Sequence, residues 1–180
     1  MARAGDTKTR IQETALRLFL TKGIQRTSLQ DIADQLGITK PALYYHFASR
    51  EVLVRSIVQP LIDDAEDRIA AMESAGNRGA REILADYFDF HHRHRHAYLL
   101  LVKELAALAE FGTVDRVFAW RQRVAALLLG AEPPPEQVIR STVALGGLAD
   151  CALVHGDVPA ADLRRVGVDA AMDALGYTAT

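Results

Sequence analysis

Residues 36–47 read LGITKPALYYHF, Leu36 to Phe47. Immediately before them Leu29, Ile32, Ala33 and Leu36 recur at i, i+3, i+4 and i+7, the spacing of one apolar helical face. Ser28 precedes that run and Asp31 follows it by three, as in a capping box. The segment therefore predicts a helix over 29–36 that stops at Gly37 in the left-handed conformation. Thr39 caps a further short helix, with Pro41 in its first turn, where the missing amide has no helical partner anyway. Two helices joined by so short a turn have the layout of a helix-turn-helix, whose second helix enters the major groove.

At about 100° per residue, Leu43 and Phe47 coincide on one side of the second of these helices and face Ile32 and Leu36. Tyr45 lies opposite, flanked by Pro41 and Ala42. Tyr44 and His46 take the two shoulders, and Lys40 lies near the start. A helix seated in a groove uses such a pattern: outward residues touch base edges, and shoulder donors reach the phosphates of each wall. The competing reading is that two tyrosines and a histidine fill a half-buried surface.

The remainder of the 180 residues bounds the architecture. With 49% of residues hydrophobic, a sizeable core is expected, either in one unit or in a small head joined to a larger body. Helical periodicity continues along the chain, and no alternating run bounded by turn residues predicts a strand. A first helix over 7–22 carries Ile11, Ala15, Leu18 and Phe19 on one face and ends at Gly23. Beyond Ser49, helices are expected over 50–75, 78–93, 96–110, 113–129, 135–155 and 160–175. Breaks fall at Gly76-Asn77, Phe111-Gly112, the EPPP of 132–135, and 156–159. The expectation is an all-α protein of about nine helices. Its N-terminal three-helix head would occupy residues 1–48 and its helical body 49–180.

Charge divides the same way. Residues 1–60 hold nine Lys/Arg against five Asp/Glu, whereas residues 61–180 hold twelve against eighteen. A basic head on an acidic body fits a head that meets a polyanion. No apolar run of the roughly 20 residues that span a bilayer is read, and the first ten residues lack an apolar signal segment. A cytoplasmic protein with no membrane partner is expected. The lone Cys151 excludes an intrachain disulfide and, in its apolar surroundings, reads as a buried inert thiol.

The stretch TSLQDIADQLGITKPALYYHFASREVL, Thr27 to Leu53, with ALRLFLTKGIQRTSL before it, resembles the DNA-binding domain of the TetR family of transcriptional regulators. The resemblance covers the head, from about Thr7 to Leu53. It implies a homodimeric repressor with a C-terminal ligand-binding and dimerising body, released from double-stranded operator DNA by a small molecule. By the same resemblance, Thr27 and Ser28 would meet phosphate at the start of the 29–36 helix. Thr39, Lys40, Pro41, Ala42 and Tyr45 would face bases. Tyr44 and His46 would contact phosphate, and Arg50 would lie near the backbone. The body is diverse across the family, so the resemblance does not identify the effector.

Within the body, Val114, Val117, Phe118, Arg121, Val124, Ala125 and Leu128 follow the helical period, so Arg121 interrupts an apolar stripe. Its guanidinium needs a carboxylate partner or awaits an anionic or carbonyl-bearing ligand; snorkelling to solvent is the alternative. Tyr87, Phe88 and Phe90, with Phe118 and Trp120, supply aromatic area that suits a pocket or a core. Tyr87, Phe88, His91, Phe118 and Arg121 are the candidate effector residues. The run HHRHRH, His91 to His96, permits three readings: a solvated basic helix end, a ligand contact, or the site of a metal sensor. The interleaved Arg93 and Arg95 and the absence of Asp, Glu or Cys weigh against a metal, and no cofactor is expected. No paired carboxylates, Ser/His/Asp set or phosphate loop points to an enzyme. Small residues (Ala144, Gly146, Gly147, Ala149 and Ala152, then Gly167, Ala170, Ala171 and Ala174) fit a four-helix bundle across a two-fold axis, or close packing within one chain.

Overall fold

The computed structural model describes residues 4–76, 78–109, 113–155 and 157–177, with backbone alone at 4, 5, 113 and 114. The expected breaks at Asn77, Phe111-Gly112 and Gly156, and the Val114 side chain, lie outside the described residues. All regular structure among the described residues is helical: α1 Ala4–Lys22, α2 Leu29–Leu36, α3 Lys40–His46, α4 Arg50–Ser74, α5 Ala80–Arg93, α6 Arg95–Lys103, α7 Leu105–Ala109, α8 Thr113–Leu129, α9 Pro135–Val154 and α10 Ala160–Leu175. The count exceeds the nine expected because the 96–110 segment divides at Glu104. The division is local: the amide of Glu104 still donates to the Leu100 carbonyl at 2.9 Å, and that of Leu108 to Glu104 at 3.0 Å.

Two compact units result. The first comprises Met1–Ile62 with His96–Val114, and the second comprises Asp63–Arg95 with Asp115–Thr180. The first unit closes around Ile11, Ala15, Phe19, Ile32, Ala33, Leu43, Phe47 and Leu53, all buried. Gln12 ties α1 to α4 by donating to the Ser56 hydroxyl at 3.0 Å and to its carbonyl at 3.2 Å. In the second unit α5, α9 and α10 pack on one another around Leu84, Leu145, Leu148, Val168 and Leu175.

The second unit revises three expectations. Ala144, Ala149, Ala152, Gly167 and Ala171 are buried within the chain. Their small size serves the α9–α10 seam itself, where a Cβ on Gly167 would stand 3.0 Å from Leu148. Outward on the same two helices lie Ile139, Val143, Gly147, Val166 and Ala170. Cys151 is half-exposed rather than buried, because it sits at the edge of that seam beside Gly167. Finally, α9 is long and apolar enough to cross a membrane by length and composition alone. Its apolar residues occupy two faces, one against α5 and α10 and one outward, and that doubling produces the high hydropathy.

Candidate nucleic-acid interface and the helical body

The α2–α3 unit is built by local chemistry. Ser28 and Asp31 form the capping box: the Asp31 amide donates to Ser28 Oγ at 3.1 Å, and the Ser28 amide donates to Asp31 Oδ2 at 2.8 Å. Ser28 Oγ–H also donates to that carboxylate at 2.6 Å. These hydrogen bonds from Ser28, side chain first, hold the Asp31 carboxyl below its ordinary value. At the other end Gly37 has φ 66°, a conformation that strains any residue with a Cβ. The Ile38 amide returns to the Ala33 carbonyl at 3.0 Å and that of Gly37 to Asp34 at 3.2 Å, the paired bonds of a Schellman stop. Thr39 Oγ1 then accepts from the Ala42 amide at 3.3 Å and starts α3.

On α3 the burial divides as the wheel requires. Leu43 is 0% exposed and Phe47 1%, whereas Tyr45 is 83% exposed. Thr39, Lys40, Pro41 and Ala42 are exposed, Tyr44 is exposed at the shoulder, and His46 is half-buried. Lys40 Nζ sits 5.8 Å from the centroid of the Tyr44 ring. Tyr45 and His46 meet edge-on at 5.2 Å. A recess of about 310 Å³ opens beside this face, lined by Ser28, Gln30, Lys40, Tyr44, Ser49 and Arg50. It collects Lys40, Arg50, the Glu51 carboxylate and several donors at the start of α2, where the Leu29 and Gln30 amides occupy first-turn positions without helical acceptors.

Two head residues make contacts within the head that the sequence does not signal. Thr27 is fully buried; its Oγ1 donates to the Gly23 carbonyl at 2.8 Å and its amide to Ile24 at 3.3 Å. A side chain enclosed by its own chain presents no donor to a phosphate, so Thr27 fixes the turn between α1 and α2. Arg50 is half-buried and donates from Nη1 to the Gln25 carbonyl at 3.1 Å and the Ile24 carbonyl at 3.3 Å. Part of its fork therefore braces the same turn.

In the second unit Tyr87, Phe88 and His91 are fully buried, and Arg121 is half-buried. Phe118 is 57% exposed and does not join them. The inward face of α8 is turned toward Trp120, which stacks on Tyr87 with ring centroids 5.1 Å apart and packs on Phe90 at 4.5 Å. Sequence marks Trp120 only as aromatic area and Gly146 only as a small residue. It gives no signal for Thr142, which acts through its backbone carbonyl: Arg121 Nη2 donates to that oxygen at 2.7 Å. His91 Nδ1 faces the Tyr87 carbonyl at 2.9 Å, and burial pushes this ring down to about 4, so it is neutral at ordinary pH.

The histidine run disperses. His92 stacks on Phe88 at 5.7 Å, and His94 Nε2 meets Asp64 Oδ2 at 2.8 Å. Burial works against the Asp64 carboxylate, but the hydrogen bonds of His94 and Arg68 outweigh it and hold Asp64 below its ordinary value. Among the described residues no three His, Cys, Asp or Glu gather to hold a metal ion.

A capped helix, a left-handed glycine stop and a short helix with an outward aromatic face together define a helix-turn-helix of the DNA-binding kind. Residues 11–57 match the model described as bacterial regulatory proteins, tetR family, and this N-terminal segment belongs to that family. Relatives include the HTH-type transcriptional regulator TtgR of Pseudomonas putida, 37% identical over 71 residues, which are 39% of this chain and 34% of that one. The HTH-type transcriptional repressor KstR2 of Rhodococcus jostii is 33% identical over 69 residues, 38% of this chain and 34% of that one. These matches span about a third of each relative's length. For the fold, a TetR-family regulator from Bordetella parapertussis aligns with TM-score 0.77 at 18% identity, covering 97% of this chain and 98% of its own.

Proposed function

We propose that the chain is a cytoplasmic, homodimeric repressor that binds double-stranded operator DNA through α2 and α3 and leaves it when a small molecule occupies the body. In this reading residues 1–48 bind DNA and residues 49–180 bind effector and partner. The observation that carries it is the burial split on α3. Tyr45, exposed over 83% of its surface beside a fully buried Leu43, has no role in the core of its own unit. Ser28, Thr39, Lys40, Pro41, Ala42, Tyr44, Tyr45, His46 and Arg50 are the proposed contacts. Thr27 supports them from inside.

The outward face of α9 and α10 supports the dimer. Ile139, Val143 and Val166 are each more than half exposed, around Gly147 and Ala170. A contiguous apolar face of this kind is stabilised by burial against a second copy. Tyr87, Phe88, His91 and Arg121 are the proposed effector residues, with Trp120 taking the place of Phe118. The relatives are regulators, and nothing in the reading requires catalysis. Selection from a random duplex pool tests the proposal. An inverted repeat should be enriched, with half-sites about one helical turn, or a multiple of it, apart. Recovery of sequences no different from the input pool would end the reading.

A further inference from the structure

We propose that the effector is an organic carboxylate, held by the Arg121 guanidinium and the buried indole N–H of Trp120. The inference rests on the reading of the second unit as the effector-binding part.

The first observation is how Arg121 differs from its neighbours. Nine arginines of the second unit, among them Arg68, Arg81, Arg123 and Arg164, lie against Asp or Glu carboxylates. Arg121 has no such partner among the described residues; it donates instead to the neutral carbonyl of Thr142. Gly146 makes the space for it. A Cβ at that position would stand 2.8 Å from Arg121 Nη2. The guanidinium is thus seated over α9 with its charge unmatched by the described residues.

The second observation is independent. Trp120 is 4% exposed, and its Nε1 is buried with no hydrogen-bond acceptor among the described residues. Native interiors rarely leave such a donor unmet, and an acceptor from water or ligand resolves it. Stacking on Tyr87 and packing on Phe90 hold the indole in place. The His91 ring lies 5.3 Å from that of Trp120 and feels the charge of Arg121. His91 itself is neutral and adds ring surface, not charge.

One guanidinium and one neutral N–H match one carboxylate, whose two oxygens accept from a planar fork and a second donor at once. The rings of Tyr87 and Phe90 suit an apolar or aromatic body attached to it. A neutral ligand would leave the charge of Arg121 unmatched.

Trp120 is the single tryptophan of the chain, so its indole fluorescence reads this site alone. The probes are benzoate, phenylacetate and octanoate, each against its primary amide, with release of a selected operator measured in parallel. The acids should shift the emission and bind about tenfold or more tighter than the amides, the scale of one charge-assisted hydrogen bond. Arg121→Met should erase that preference. Gly146→Ala should weaken acid binding while sparing the amides. The added methyl meets only the flexible end of Arg121, so the fold, checked by thermal melting, should persist. Trp120→Phe, followed by calorimetry, should also lose affinity for the acids. Amides that match the acids, or a preference that survives in Arg121→Met, overturns the carboxylate. If neutral probes alone bind and release operator, the effector-binding reading stands and the carboxylate falls. If no probe binds or releases operator, both fall.

Discussion

Leu43 and Tyr45 are two residues apart, yet one is 0% and the other 83% exposed. A seven-residue helix with one buried side can do this, and the contrast separates stability from recognition. Leu43→Ala should cost roughly 2–5 kcal/mol through a cavity in the first unit, read as a lower melting temperature. Thr27 and Ser28 show where sequence stops being informative. Both are hydroxyl residues at a helix start, and nothing local says which one turns inward. The carbonyl of Gly23, four residues back in a turn, claims Thr27, while Asp31 claims Ser28. Thr27→Val should therefore lower stability by about 1 kcal/mol and leave the salt dependence of DNA binding unchanged. A shallower salt slope in that variant would restore Thr27 as a phosphate contact.

Among the elements, α2 was legible residue for residue because its limits are written in local chemistry, a capping box and a left-handed glycine. The C-terminal ends of α8 and α10 followed their sequence limits for the same kind of reason, because Gly130 and Gly176, both at positive φ, follow them. The orientation of α8 was not legible. Its apolar residues span a wide arc, and hydrophobicity alone cannot choose between Phe118 and Trp120 at the edges. Stacking on Tyr87 chooses Trp120, and that partner is 33 residues distant in the chain. The division of the 96–110 segment at Glu104 was likewise unmarked by any Gly or Pro. Packing against α8 also encloses His91, whose value of about 4 lies below the ordinary 6.5. Between these values the unfolded chain takes up a proton that the folded chain refuses. Stability should thus fall as pH drops from 6.5 towards 4, by up to about 1.4 kcal/mol per pH unit, and this contribution should level off below 4. In His91→Gln that part of the slope should vanish, which urea midpoints across the window would read. Equal slopes in the two proteins would show that His91 titrates freely in the folded state.

For the molecule as a whole, the account needs two chains and one duplex. Val143, 63% exposed on the outward face of α9, should become a point of failure when charged. Val143→Asp should sediment as a monomer at micromolar concentration while keeping its helicity, and a wild type already monomeric there would remove the dimer. The basic head and the acidic remainder should give DNA binding that weakens with salt, because released counterions favour dilute salt. The head was legible because its cap, its glycine stop and its buried Leu43 stand at fixed local spacing, whereas the contacts of the body join residues far apart in the chain, as Trp120 and Tyr87 do. The most direct measurement is fluorescence anisotropy of the wild type and Tyr45→Ala on a selected operator and on random duplex, with circular dichroism alongside. The account predicts that Tyr45→Ala keeps its helicity and loses about 1–3 kcal/mol on the operator, with little change on random DNA. Undiminished operator binding by Tyr45→Ala, or a loss of helicity in that variant, would contradict it.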